Sequence, residues 1–506
     1  GVDRYREVNP LPCWSSPCDR HGAGHGRKGW WRVRWAVLAG VATLGLVLTG
    51  TGAAPAGADP FVGAPGLDDP YYPLDGNGGY DVRHYDVRIG YDPPSRWLDG
   101  TARIDAVATQ LLRAFNLDYS GPPVDAVTVN NQPAAFERHG EHELTVTPLL
   151  PLLPGLPFTV TVHYAGPAAD TAGAGWTLTP SGGAFAAGQP HSASTWYPLN
   201  DTPRDKATFA LHATVPAEWE VVSNGVRTEN TVRDGSRTVG WASAYPVIGY
   251  LTTIAIDRFS FLEQARANGT PILSAFAPAA ERNRATERNR ATEQRLPEIL
   301  DFTEELFGPY PFDAAGGIYV DADLSFSLET QTRPVYAPWT DLATVVHEIA
   351  HQWWGDSVSV RSWSDICLNE CFASYTADYL WPERMDGVDV DARYRETVAE
   401  FHDNPRFWEI PLENPGAGRE FTSVYYRGPL FLHALRRQLG DEVFFPALRE
   451  FLATHAYGNA SMPELRTFLQ SKSATDLTGF FTAWLNDTAP PPAEYLYPGT
   501  LGTPDR

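Results

Sequence analysis

His347, Glu348 and His351 stand in the run Thr344-Val-Val-His-Glu-Ile-Ala-His-Gln-Trp-Trp354. On a helix, a spacing of four puts both imidazoles on one face, one turn apart. That suits two ligands of a tetrahedral zinc ion. Glu348, beside the first histidine, brings a carboxylate next to the ion without ligating it. A catalytic zinc takes three protein ligands and keeps one position open. Glu370, nineteen residues after His351, supplies the third ligand if two helices joined by a short loop pack antiparallel. One zinc ion per chain is therefore expected. Zinc lowers the pKa of bound water toward about 7 and polarises a carbonyl. Glu348 would take the water's proton and pass it to the leaving amine. The developing oxyanion needs a second donor, a task suited to a tyrosine hydroxyl. For the two histidines alone, a solvated or core helix face is the bland alternative. The glutamate at the second position and the spaced downstream glutamate argue against it.

These residues need helices to hold them. Gly355 and Asp356 look like a helix stop. Ser364 or Asp365 looks like the N-cap of a helix that ends before Pro382. Upstream, Leu296 to Phe307 has an amphipathic helical pattern. From Gly79 to Phe259 the pattern is instead β: Thr101–Thr109 and Phe158–Tyr164 alternate in character, and Asp99-Gly100 and Pro154-Gly155 mark turns. The chain thus divides into a leader at 1–58, an antiparallel β domain at 59–261, a mostly helical catalytic domain at 262–489 and an irregular Pro-rich tail at 490–506. A six-residue tandem duplication at 281–292 reads as a lengthened surface helix or loop, since two copies are too few for a repeat architecture.

The composition is globular, with 43% hydrophobic and 20% charged residues among 506. A formal net charge of -22 speaks against nucleic-acid binding. Lysine occurs at Lys28, Lys206 and Lys472, never after glycine, so no phosphate-binding GxxxxGK[ST] loop exists. There is no GxSxG elbow either. Arg27, Lys28, Arg32 and Arg34 precede an apolar run from Trp35 to Leu48, and Ala56-Gly57-Ala58 offers a small-residue cleavage site. The chain is expected to be secreted after cleavage behind Ala58; an uncleaved membrane anchor is the alternative. Cys13 and Cys18 would leave with the leader. Cys367 and Cys371 lie one helical turn apart with Cβ atoms tilted the same way, so the expectation is buried free thiols, with redox or metal involvement the alternative.

The segments His347-Glu-Ile-Ala-His-Gln-Trp-Trp-Gly-Asp356 and Leu368-Asn-Glu-Cys-Phe-Ala-Ser-Tyr375 resemble the zinc aminopeptidase family of aminopeptidase N, the gluzincin peptidase family M1. Its signature is HExxH, eighteen residues, then a glutamate within an Asn-Glu pair. Gln189-Pro-His and Trp196-Tyr-Pro-Leu-Asn-Asp-Thr-Pro-Arg-Asp-Lys-Ala207 are similar to a segment of the family's N-terminal β domain. The resemblance implies a multi-domain α+β fold: an antiparallel β domain, then a thermolysin-like zinc domain. It also implies further roles. Phe326-Ser-Leu-Glu-Thr330 aligns with a Gly-x-Met-Glu-Asn motif and gives Glu329 the task of binding the substrate's α-amine. Val424-Tyr-Tyr-Arg-Gly428 resembles a Tyr-x-Lys-Gly motif and makes Tyr425, rather than Tyr426, the transition-state hydroxyl. Gln189 would line the pocket for the first substrate side chain. The departures are Phe326 for Gly, Thr330 for Asn, Arg427 for Lys, and Cys367 and Cys371 around Glu370. The chain also looks like a short form without the family's large C-terminal helical domain, which implies a more open cleft.

The expected function is hydrolysis of N-terminal residues from peptides with a free N-terminus. A zinc endopeptidase of the same fold and a non-catalytic zinc-containing binding protein are the rivals. His433, Trp353 and Trp354 are expected to be packing residues. Asp356 either supports a ligand or ends a helix.

Overall fold

The computed structural model describes residues 59–278 and 284–502. The leader and its cleavage site lie outside the described residues, as do the first residues of the tandem duplication. From Phe61 onward the chain forms one compact unit.

Alternation of small and apolar residues builds the β half. In the strand Trp97–Ala108, Leu98, Gly100, Ala102, Ile104, Ala106 and Ala108 face inward. In Pro157–Pro167, Phe158, Val160, Val162 and Tyr164 do the same. Gly100 is required: a Cβ there would stand 2.1 Å from the Tyr164 ring. These strands belong to an eight-stranded sheet in the order Val226–Arg233, Ser236–Val247, Ala207–Pro216, Tyr80–Asp92, Trp97–Ala108, Pro157–Pro167, Val124–Val129, Gln132–Pro133. Its pairings are antiparallel except for Tyr80–Asp92 against Ala207–Pro216, which run parallel. Two smaller sheets complete this half. One joins Glu220–Ser223, Ile254–Asp257, Ala184–Ala187 and Gly175–Leu178. The other joins Phe115–Asp118, Glu143–Thr147 and Ala135–His139.

The sheet changes between Asp257 and Ser260. Ser260–Ala265 pairs with Pro271–Phe276, which runs parallel to Ile318–Tyr319, itself parallel to Val335–Tyr336. Helices follow. The amphipathic pattern at 296–307 forms the helix Leu296–Phe307, burying Leu296, Ile299, Leu300 and Phe307. The tandem stretch contributes the helix Arg284–Glu293.

The two halves are strapped together by the extended segment before the first long strand. Asp69 accepts hydrogen bonds from Ser362 Oγ at 2.9 Å and the Trp363 N–H at 3.0 Å. Tyr71 donates to Asn414, and Tyr72 to Glu420. The tail corrects an expectation. It is not irregular: Pro492 opens a short helix, Ala493–Leu496, and Leu496 and Leu501 are buried. Two apolar side chains in so short a stretch find the core, and the Trp484 indole and Tyr394 hydroxyl bond the backbone at Tyr495 and Leu496. Among the described residues no helix is long and apolar enough to cross a membrane.

Candidate active site

The histidine-bearing helix runs from Leu342 to Ala350, with Asp341 as its N-cap accepting from the Thr344 N–H at 2.9 Å. It ends one turn before Gly355, earlier than expected. The backbone tightens to i→i−3 bonds at Gln352 and Trp353. His351 is the C-cap residue and keeps right-handed helical angles, so both imidazoles stay on one face. Gly355 is held close for another reason: a Cβ there would meet the Asn369 amide at 3.2 Å and His351 Nδ1 at 3.4 Å.

The second helix, Cys367–Tyr375, has Ile366 at its N-cap position and no side-chain cap, so neither Ser364 nor Asp365 caps it. The chain enters through a 3-10 turn, Trp363–Asp365, whose Ser364 N–H donates to Ser362 Oγ. Asp365 instead accepts from the Met462 N–H. Nor does this helix stop before Pro382. It widens into a π turn at Thr376–Leu380 and continues as Trp381–Asp386. Proline is tolerated there because it lies in the first turn of the new register, where its missing N–H leaves no bond unmade.

Across these helices His347 Nε2 and His351 Nε2 stand 3.2 and 3.3 Å from Glu370 Oε2, and 3.0 Å from each other. Three donors on one tetrahedral ion at about 2.0–2.1 Å are about 3.3 Å apart, so this triangle fits zinc. The second coordination layer agrees. His351 Nδ1 lies 2.9 Å from the Trp354 carbonyl and donates to it, leaving the Nε2 lone pair facing Glu370. When no ion lies between them the imidazoles are free to take up protons: burial alone would raise the Glu370 carboxyl, but His351 and the hydrogen bonds from both rings in that state outweigh it and hold it at about 2. Burial lowers His347. It acts the same way on His351, but the surrounding carboxylates, Glu370 foremost, push that imidazole well up.

Glu348 and Glu329 complete the centre. Their carboxylate oxygens and a His351 nitrogen all lie within 4.8 Å of one another. Burial pushes the Glu348 carboxyl well up, with Glu329 and Glu370 adding to the shift. Glu329 Oε1 accepts from the Tyr250 hydroxyl at 2.9 Å and from Gln189 Nε2 at 3.3 Å. The loop carrying Glu329 is pinned from several sides. Thr330 Oγ1 bonds the Arg333 carbonyl, Asn224 Nδ2 the Gln331 carbonyl, and Gln352 Nε2 the Glu329 carbonyl. Thr330 in place of Asn thus serves its own turn.

The Tyr425 ring lies 6.3 Å from that of His347, centre to centre. Tyr426 is 41% exposed. Arg427, where lysine was expected, is fully buried and donates to the carbonyls of Trp408, Ile410, Ala483, Trp484 and Asp487. Only the guanidinium fork reaches so many acceptors at once.

Cys367 and Cys371 form a disulfide, correcting the expectation of free thiols. Their Cα atoms are 4.8 Å apart, inside the range that a bridge spans and shorter than the distance of about 6.2 Å between residues four apart in an ideal α-helix. Trp353 and Trp354 are core residues. His433 binds Tyr375 and Asp391, away from the metal ligands. Asp356 is fully buried, and neither carboxylate oxygen has a hydrogen-bond partner among the described residues. Tyr250 was not legible in the sequence, because nothing around Ile248-Gly-Tyr-Leu251 distinguishes it from an ordinary core tyrosine.

The Peptidase M1 N-terminal domain pattern matches residues 82–251, and the Peptidase family M1 domain pattern matches residues 326–484. The chain is 26% identical over 444 residues to endoplasmic reticulum aminopeptidase 1 of Homo sapiens, covering 78% of this chain and 46% of that protein. To aminopeptidase N of Lactococcus lactis it is 26% identical over 336 residues, covering 60% and 38%. It spans less than half the length of these curated relatives. The solved structure of an M1 zinc metallopeptidase from Deinococcus radiodurans superposes with a TM-score of 0.76 at 27% identity, covering 87% of this chain and all of that one. A mutant of that enzyme has been solved bound to a Tyr-Ser-Ala substrate. Two domain patterns of one family are matched in chain order over more than half of the sequence, the second spans His347, His351 and Glu370, and the chain belongs to peptidase family M1.

Proposed function

We propose that this protein is a zinc aminopeptidase that removes N-terminal residues from peptides. His347, His351 and Glu370 would hold the ion, which when bound supplies Lewis-acid polarisation of the scissile carbonyl and acidified water. Glu348 serves as general base, receiving a proton on its carboxylate and returning it to the leaving amine. Burial raises the affinity of its carboxylate for a proton, which suits a group that must take one up. The Tyr425 hydroxyl donates to the oxyanion. Glu329 binds the α-ammonium group, and Gln189 borders the first side-chain pocket.

The observation that carries this reading is the placement of Glu329. Its buried carboxylate sits in one cluster with Glu348 and His351, so an ammonium bound there lies beside the cleavage chemistry. Peptide binding by the Deinococcus radiodurans relative supports the same substrate class. The test is a panel of aminoacyl arylamides with matched N-acetylated forms. Cleavage of the free-amine forms alone is expected; equal cleavage of both would favour an endopeptidase.

Export to an oxidising compartment is part of the reading. The Cys367–Cys371 disulfide supports it, because such bonds persist mainly outside the cytosol. N-terminal sequencing of protein from culture medium should find Asp59 first.

A further inference from the structure

The strand Phe115–Asp118 pairs antiparallel with Glu143–Thr147, and the register puts Asp118 directly opposite Glu143. Two carboxylates facing each other across strands repel. Asp118 is 1% exposed. Its Oδ2 accepts from Asn77 Nδ2 at 3.1 Å and the Asp201 N–H at 2.7 Å. Its Oδ1 has no hydrogen-bond partner, and neither has either carboxylate oxygen of Glu143, all three being buried. Buried polar atoms are ordinarily satisfied, and an unpaired buried carboxylate is costly.

The surroundings add negative charge. Asp118 lines a cavity of about 250 Å³ together with Asp75, His142, Gln189, His191 and Asp201. No lysine or arginine is among its described lining residues. Asp75 is occupied by His191 Nδ1 at 2.7 Å, and Asp201 accepts from the Ser194 N–H. The imidazole of His142 stands near Asp118 Oδ1, with Nε2 at 3.7 Å, and that nitrogen also lies 3.3 Å from the Leu74 carbonyl.

We propose that the carboxylates of Asp118 and Glu143, with His142 beside them, bind a second divalent cation, of calcium type, in the N-terminal β domain. Donor atoms of these three residues all lie within 4.8 Å of one another. Carboxylates are hard oxygen donors of the kind calcium takes, whereas the nitrogen-rich set His347, His351 and Glu370 suits zinc. The donor chemistry therefore favours the harder ion. A cation at this point satisfies the free oxygens and removes the cross-strand repulsion. Burial pushes the carboxyl of Asp118 well up and that of Glu143 to about 7, so without an ion the pair must hold protons instead. The site borders the active centre through one wall: Gln189 lines the same cavity and bonds Glu329.

The test uses the zinc-loaded full chain and calcium chloride as the probe. Calorimetric titration is expected to show one calcium per chain, and saturating calcium to raise Tm by several degrees, since the ion binds only the fold. Asp118→Asn and Glu143→Gln should each abolish this uptake while elemental analysis still finds zinc. Glu143→Gln should be at least as stable as the calcium-free parent, because it removes the repulsion. No calcium uptake by the parent chain would overturn the proposal. So would uptake that survives both substitutions, which would mark diffuse binding to an acidic surface.

Discussion

At the scale of single residues, two hydroxyl and carboxyl groups carry the proposed chemistry, and each has its own signature. Glu348→Gln keeps the shape of the side chain but cannot take a proton. It should lower kcat by about 10²–10⁴ while zinc content stays unchanged; undiminished turnover would remove Glu348 as the base. Tyr425→Phe deletes a donor needed only as charge develops. It should lower kcat by about 10²–10³ with little change in KM. Tyr426, exposed beside it, is the internal control, and Tyr426→Phe should behave as wild type. The opposite pattern would exchange the two roles.

At the scale of elements, the glutamate-bearing helix is the part most tightly fitted. Its disulfide closes a loop so short that chain entropy contributes no more than about 2 kcal/mol. The bridge also dictates what may pack on it. Gly428, in the first turn of the helix Arg427–Leu439, lies so close that a Cβ would stand 2.6 Å from Cys371 Sγ and 2.9 Å from its Cβ. Neither helix can retreat, since Arg427 is anchored by five carbonyls and Glu370 must face both histidines. Gly428→Ala should therefore cost about 1–3 kcal/mol in urea denaturation. It should also weaken zinc retention during dialysis, because the strain is relieved by moving Glu370. A variant with wild-type stability would show that the two helices are looser than this contact implies.

At the scale of the whole molecule, buried carboxyls shape the response to pH. Glu293 is fully buried and accepts from Ser274 Oγ at 2.6 Å and Tyr319 Oη at 3.0 Å. Burial raises its carboxyl to about 7, with the two hydroxyls opposing. In the unfolded chain it titrates near about 4.3. Below that pH the group is protonated in both states and has no effect on stability. Between the two values only the fold holds the proton, so stability falls as pH rises through about 4.3 to about 7 and is level above. Measured against Glu293→Gln, the parent should lose about 4 kcal/mol across that window. A flat difference would mean that Glu293 titrates normally. Chelation acts at the same scale: the zinc ligands come from two helices, so removing the ion should lower Tm as well as abolish turnover, and zinc should restore both.

The sequence by itself determined the pairing of His347 with His351 on one helix face, the amphipathic helix at Leu296–Phe307 and the β character of the first half. These are properties of local periodicity: 3.6 residues per turn sets His347 over His351, and a period of two sorts a strand into inner and outer faces. Only the tertiary structure decided the rest. The convergence of Gln189, Tyr250 and Glu329, the meeting of Gly428 with Cys371, and the facing of Asp118 and Glu143 each join segments far apart in the chain. Such meetings depend on strand register and on how helices pack. Neither leaves a mark in the spacing of any one segment, because the residues that fix them are spread over the whole core. The Cys367–Cys371 bridge is the local case that periodicity misjudged: ideal helical geometry sets residues four apart about 6.2 Å from each other, and these Cα atoms stand 4.8 Å apart.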